Sequence, residues 1–244
     1  MTWADFDAVL FDLDGVVTPT AEVHMRAWDE MFNAFLEDYP DQSPYTDADY
    51  FAYVDGKPRY DGVRDFLESR GIALPEGSPE DPPSALSVAG LGNRKNDAFN
   101  DVLERDGVHA YPGSVALLDH LKNLSIPLAI VSSSANAPAV LHAAGLADRF
   151  EIVVSGTVAR ERGLPGKPAP DTFEYAAQAL GTDASGAVVL EDAVSGVRAG
   201  RAGDFALVIG VDRGAGHEEL KAAGADLIVR DLHELVPTDD RVER

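Results

Sequence analysis

Two hydrophobic rhythms divide the chain. A continuous apolar run from Asp7 to Phe11 reads as a buried strand, and it stops abruptly at Asp12, Asp14 and Gly15. From Thr20 onward Val23, Ala27, Met31, Ala34 and Phe35 recur at the spacing of one helix face, which predicts a helix ending near Tyr39-Pro40. A turn follows at Asp41 to Pro44. Shorter helices are expected at Asp47 to Val54 and at Asp61 to Arg70, the second stopped by Gly71. Leu74 to Ser84 holds four prolines and reads as an irregular loop. A further helix covers about Lys95 to Arg105, and from Glu22 to Val108 no strand pattern occurs.

Beyond Pro112 strands and helices alternate. Helices are expected at Gly113 to Asn123, Ala137 to Ala144, Asp171 to Leu180, Ala193 to Ala202 and Glu218 to Ala223. Apolar strands separate them at Pro127 to Val131, Glu151 to Val154, Ala187 to Leu190, Phe205 to Ile209 and Asp226 to Val229. That alternation, with strands apolar on both faces, predicts a parallel sheet covered by helices on each side. The expected fold is therefore α/β: a doubly wound, Rossmann-like parallel sheet built from residues 1–21 and 109–244. It is interrupted after its first strand by an inserted α-helical cap domain, residues 22–108. The two crossings, near Pro19 and near Ala110 to Pro112, suit a hinged lid over the sheet edge. The charged tail after Pro237 is expected to fray.

Composition narrows the partners. At 244 residues the chain is long enough for a sizeable core. Forty-two acids against 20 Lys and Arg give a net charge of −22, which argues against nucleic acid and anionic membranes. No apolar run reaches the roughly 18 residues of a membrane span and no leader pattern is present, so a cytoplasmic location is expected. The absence of cysteine removes disulfides, thiolate nucleophiles and Cys-based zinc sites. The histidines show no metal spacing: His217-Glu218-Glu219 lacks a second histidine four residues on. Gly90-Leu91-Gly92 follows no strand and is no dinucleotide fingerprint. Trp28, at helical spacing from Met31 and Phe35, reads as packing.

Ligands of open parallel sheets sit beyond the carboxyl ends of the strands, so the strand-end residues carry the chemistry. Strand one ends in Asp12-Leu13-Asp14, the next in Ser132-Ser133-Ser134, and the fourth in Glu191-Asp192; Gly166-Lys167-Pro168 follows the third. Two carboxylates held on one side of a strand end repel unless a proton or a cation lies between them. Asp12, Asp14, Glu191 and Asp192 offer hard oxygen ligands that suit Mg²⁺. Ser132, with the amides opening the helix after Asn136 and Pro138 in its first turn, offers an anion seat. Lys167 adds a cation for charge on a transferring group. A carboxylate beside Mg²⁺ and a phosphate seat is able to act as a nucleophile, with the second aspartate placed to move the proton.

Asp12-Leu13-Asp14-Gly15, the strand-end Ser132, Lys167-Pro168-Ala169-Pro170-Asp171 and Glu191-Asp192 resemble, in order, the four motifs of the haloacid dehalogenase superfamily. The resemblance implies that Asp12 is the nucleophile and Asp14 the general acid/base. It also implies Mg²⁺ held by the Asp12 side chain, the Asp14 carbonyl, Glu191 and Asp192. Within the superfamily, Asp12 to Thr18 running into Thr20 to Trp28 is similar to the sugar-phosphate mutases, as are Gly56 and Arg59, Arg94 to Asp97, and Ser132 to Asn136. That likeness implies that Arg59 and Lys95 hold the non-reacting phosphate of a small sugar phosphate. Thr20 and His24 would then position Asp14, while Gly56, Ser133, Ser134 and Asn136 meet the substrate. The implied activity is transfer of phosphate within the sugar phosphate through an aspartyl-phosphate on Asp12. The alternative is a phosphatase using the same residues. Departures from the mutase pattern are Pro19 in place of an acid, Asp55 and Ala135 in place of lysines, and Gly62 in place of a serine. A phospho-accepting receiver domain also gathers acids, a hydroxyl and a lysine, but it is shorter and has no helical insert. A monomer is expected.

Overall fold

The computed structural model describes residues 2–237; Met1 and the tail whose fraying the sequence suggests lie outside the described residues. Six strands form one parallel sheet: β1 (Ala8–Phe11), β2 (Leu128–Val131), β3 (Ile152–Val154), β4 (Ala187–Glu191), β5 (Leu207–Val211) and β6 (Leu227–Val229). Their order is β3-β2-β1-β4-β5-β6. β1 lies inside the sheet, pairing Val9 with Leu128 on one side and with Val188 on the other. Alternate residues of each strand feed opposite cores, as the pleat requires. Val9, Phe11, Ile130 and Leu190 pack with Leu117, Leu118 and Leu121 of α5 (Pro112–Asn123) and Val140 and Leu141 of α6 (Ala137–Ala143). Leu10, Ala129 and Val189 face the other way, against Phe173 of α8 (Asp171–Ala179), Val197 of α9 (Val194–Ala202) and Leu220 of α10 (His217–Ala223). Among the described residues no helix is long and apolar enough to cross a membrane.

A third apolar cluster sits apart from the sheet. It draws on α1 (Thr20–Leu36), the π-helical segment Tyr50–Val54 that continues the short polar α2 (Asp47–Asp49), α3 (Arg59–Ser69) and α4 (Val88–Asp106). Phe32 centres it, stacked on Trp28 at 5.3 Å and meeting Phe66 at 4.1 Å between ring centroids. Trp28 does pack, as its spacing suggests. These helices form the inserted α-helical cap that follows the first strand. Both chain crossings meet the loop after β1: the Tyr111 N–H donates to Val17 O at 3.0 Å, and Ser114 Oγ donates to Val16 O at 2.7 Å.

Three elements differ from the sequence reading. α4 begins at Val88, seven residues before the expected Lys95, with Ser87 Oγ capping the Gly90 N–H at 3.0 Å. Gly92, which weakens the helical pattern, is required there because a Cβ would press into the Tyr60 ring. A further helix, α7 (Gly156–Arg162), follows β3 and was not expected. Its residues are mostly polar, so it carries no apolar period; Ser155 caps it. β5 pairs from Leu207 to Val211 rather than from Phe205 to Ile209, because Phe205 turns into the core before the strand begins.

Removing a ring from the cap cluster leaves a void that its short helices cannot close. Phe66→Ala is expected to lower unfolding stability by about 3–5 kcal/mol. Urea denaturation followed by circular dichroism measures it, and a loss of under about 1 kcal/mol would contradict the packing described.

Candidate active site

Lys167 lies under the carboxyl edge of the sheet. Its Nζ donates to Asp12 Oδ1 at 2.6 Å, to Glu191 Oε1 at 2.5 Å and to Val131 O at 2.9 Å, joining the ends of β1, β4 and β2. All three side chains are buried. Burial opposes the lysine charge, but Asp12 and Glu191 outweigh it and hold Lys167 above its ordinary value. Asp12 itself is pushed up, first by burial and then by Glu191 and Asp14, against the pull of Lys167. Asp192 is also driven up, by burial and then by Asp55, Glu191, Asp12 and Asp14. One lysine does not neutralise this many carboxylates.

The donor set fits a hard divalent cation. Glu191 has both oxygens engaged, Oε1 by Lys167 and Oε2 by the Ala193 N–H at 2.9 Å. The carboxylates of Asp12 and Asp192 retain acceptor capacity toward the cavity. Asp192 lies directly over Gly15, whose φ of 93° and missing Cβ let the carboxylate settle on the loop. Among the described residues no three His, Asp or Glu side chains converge to hold an ion unaided. Mg²⁺ does not need that many, since it keeps waters and takes one or two carboxylates together with a substrate phosphate.

Asp14 is held by groups of both the core and the cap. Thr20 Oγ1 donates to Asp14 Oδ1, His24 Nε2 stands 3.4 Å from the same oxygen, and Ser132 Oγ donates to Oδ2 at 3.3 Å. Burial alone would raise the Asp14 carboxyl; His24, the Thr20 hydroxyl and Lys95 together pull it down to about 2. His24 stacks on Phe99 at 4.0 Å, and its Nδ1 shares a hydrogen bond with Lys95 Nζ. Burial and the neighbouring Lys95 both lower the His24 imidazole. Lys95 is buried between the Trp28 and Phe99 rings, each 5.1 Å away, and burial, with Arg59 nearby, lowers it to about 7.

The cap meets the core across a cavity of about 380 Å³. Ser133 Oγ donates to Gly56 O at 2.8 Å and Ser195 Oγ to Asp55 O at 2.9 Å. Arg59 Nη2 donates to Asn96 Oδ1 at 2.6 Å, and Asn136 Nδ2 reaches the same oxygen from the core at 2.8 Å. The serine loop is self-braced: Ser132 Oγ accepts the Ser134 N–H and Ser134 Oγ accepts the Asn136 N–H, both at 3.1 Å. Asp12, Asp14, His24, Gly56, Arg59, Lys95, Ser132, Ser133, Ser134, Asn136, Glu191 and Asp192 all line the cavity. Thr20 and Lys167 lie behind that wall, hydrogen-bonded to Asp14 and Asp12.

Sequence reasoning did not place Tyr50, Asn96 or Arg160 in the wall, and it noted Asp55 only as a departure. Asn96 lies within the Arg94 to Asp97 segment, whereas Arg94 turns away and donates to Pro83 O at 2.9 Å. Arg160 is carried by the unexpected α7. Asp55 is pushed up to about 7 by burial and by Glu191, against its hydrogen bond to Tyr50.

A parallel α/β sheet with an acidic pair, a buried lysine, a hydroxyl loop and a cap over its carboxyl edge defines a phosphoryl-transfer protein. The haloacid dehalogenase-like hydrolase pattern matches residues 6–204, and the chain belongs to that family. It is 48% identical over 239 residues to a beta-phosphoglucomutase of Mycobacterium bovis, covering 94% of this chain and 91% of that one. A beta-phosphoglucomutase of Bacillus subtilis is 33% identical over 230 residues, covering 93% and 91%. The crystal structure of a beta-phosphoglucomutase from Clostridium difficile shares the fold, with a TM-score of 0.76, 24% identity and coverage of 95% and 93%.

Two outcomes test the electrostatics. Lys167→Met strands two buried carboxylates and is expected to cost about 3–5 kcal/mol of stability at neutral pH. The loss should shrink as pH falls, because protonation removes the stranded charge; a urea titration across pH reads both. Lys95, depressed to about 7 from an ordinary 10.5, is protonated in the unfolded chain but not in the folded one between those values. Stability should therefore rise with pH across that window, by up to about 1.4 kcal/mol per pH unit. Lys95→Met should remove the Lys95 contribution to that slope, and an unchanged slope would contradict the assignment.

Proposed function

We propose that the protein is a Mg²⁺-dependent sugar-phosphate mutase of the β-phosphoglucomutase type, converting β-glucose 1-phosphate to glucose 6-phosphate. The observation that carries this reading is the shared cavity. Asp12 and Asp14 line it together with Arg59, Asn96 and Asn136, with cap and core hydrogen-bonded around the space. Such an enclosure presents a sugar hydroxyl in place of water. The name of the Mycobacterium bovis relative agrees.

In this reading residues 22–108 form the cap that opens and closes on the core of residues 1–21 and 109–244. Mg²⁺, when bound by Asp12, Asp192, the Asp14 carbonyl and the neighbourhood of Glu191, neutralises the acidic cluster and draws charge from the transferring phosphoryl group. Asp12 carries the phosphoryl group as an aspartyl-phosphate. Asp14, ionised as its low pKa requires, takes the proton of a substrate hydroxyl as that oxygen attacks phosphorus and the Asp12 oxygen–phosphorus bond breaks. Once protonated, Asp14 returns the proton to the leaving sugar oxygen when Asp12 attacks the other phosphate of the resulting bisphosphate. Base first, acid second is the order the Asp14 environment favours. Thr20 and His24 hold it in place; Lys167 steadies the Asp12 carboxylate, and Ser132 to Ser134 receive the phosphoryl oxygens.

A phosphatase that passes the phosphoryl group to water is the second reading. Asp55 favours it, because a carboxyl raised to about 7 beside the cavity is suited to accept a proton from an attacking water.

Purified protein with Mg²⁺, β-glucose 1-phosphate and a trace of glucose 1,6-bisphosphate separates the two. Glucose 6-phosphate without matching free phosphate is expected, and Asp12→Asn should lose activity by at least about 10³-fold. Phosphate release alone would replace the mutase by the phosphatase.

A further inference from the structure

Arg160, on α7, brings a positive charge from the core to the cavity wall. Its side chain is exposed at the cavity rim and makes no ion pair among the described residues. Arg162, two residues on, instead stacks over Tyr175 at 4.9 Å. Glu80, on the proline-rich loop, feels the Arg160 charge without reaching ion-pair distance.

Arg160 shares the cavity wall with another arginine, Arg59. The segment after α7 abuts Pro58, the residue that leads into α3 and its first residue Arg59, so closely that a Cβ on Gly166 would strike the Pro58 ring. Arg59 bonds only neutral amide oxygens, Asn96 at 2.6 Å and Asn93 at 3.3 Å, and no carboxylate. Burial lowers the Arg59 guanidinium, and Arg160 lowers it further. Two guanidiniums facing one cavity repel until an anion lies between them. Guanidiniums take phosphate oxygens through paired N–H donors.

We infer that Arg160 is a substrate-binding residue, closing from the core on the same remote phosphate group that Arg59 receives from the cap. This rests on the functional reading above and adds a residue and a consequence to it. Because one guanidinium belongs to each domain, a substrate bearing a second phosphate ties the cap to the core, whereas one lacking it does not. The clamp therefore selects for a phosphate at each end, as in a sugar bisphosphate.

The test measures binding by calorimetry with Mg²⁺ in the Asp12→Asn protein, which cannot be phosphorylated there. Glucose 1,6-bisphosphate is compared with phenyl phosphate, which carries one phosphate and no second anion. Adding Arg160→Gln, a change at an exposed side chain, is expected to weaken the bisphosphate by about tenfold or more, with phenyl phosphate within about twofold. Arg160→Lys should recover part of the loss. Unchanged bisphosphate affinity in Arg160→Gln, while the parent binds normally, overturns the clamp and leaves the functional reading intact. Equal weakening of both ligands also overturns it, since that is a general loss of charge. Failure of the Asp12→Asn parent to bind either ligand overturns the functional reading and the clamp together.

Discussion

The buried Lys167 bridge is the interaction on which the rest of the site depends. A lysine this deep is tolerated only because two carboxylates and a carbonyl complete its donors. Each acceptor comes from a different strand end, so the bridge fixes how β1, β2 and β4 finish relative to one another. The Asp12 position, the Ser132 loop and the Asp192 turn all follow from those finishing points. A charge arrangement that stabilises little by itself thus sets geometry, and the sheet register beneath it supplies the rigidity.

Around that bridge the site is divided by charge. On the core side burial, and after it a surplus of carboxylates, lifts Asp12 and Asp192 and creates the demand for a divalent cation. On the cap side burial lowers Lys95 and Arg59, with Arg59 beside Lys95 and Arg160 beside Arg59 adding to it, which creates the demand for an anion. Asp14 sits at the boundary and takes its acidity from His24 of the cap and from the Thr20 hydroxyl. Moving the cap away would remove the His24 contact, so the proton affinity of Asp14 is linked to cap position. A phosphate ester bound with its metal answers both demands at once.

The core was legible in the sequence because buried parallel strands are written as unbroken apolar runs that end abruptly in polar residues. Asp12, Ser132 and Glu191 each stand at or just beyond such an end, while Lys167 lies past α7, and the motif resemblance then fixed what all four imply. The cap was read less sharply. Gly90 and Gly92 disguised the first two turns of α4, since glycines required by close packing look the same in sequence as glycines that break helices. α7 was missed because its polar residues carry no period, and Arg160 was missed with it. Asp55 could be noted only as a departure: its proton affinity is raised by burial in the folded chain and then by Glu191, distant in sequence and close in space.

The meeting of both chain crossings on the loop after β1 has an evolutionary side. Val16 accepts from Ser114 and Val17 accepts from Tyr111, so the cap leaves and re-enters the core at nearly one point. An insertion whose ends are already pinned together closes a loop at a cost that grows only slowly with its length. Length added between those ends, in a loop such as Leu74 to Ser84, would leave the sheet register and the acidic cluster undisturbed. The lid is in that sense an exchangeable cassette, free to be rewritten for a new substrate while the machinery beneath it is inherited whole.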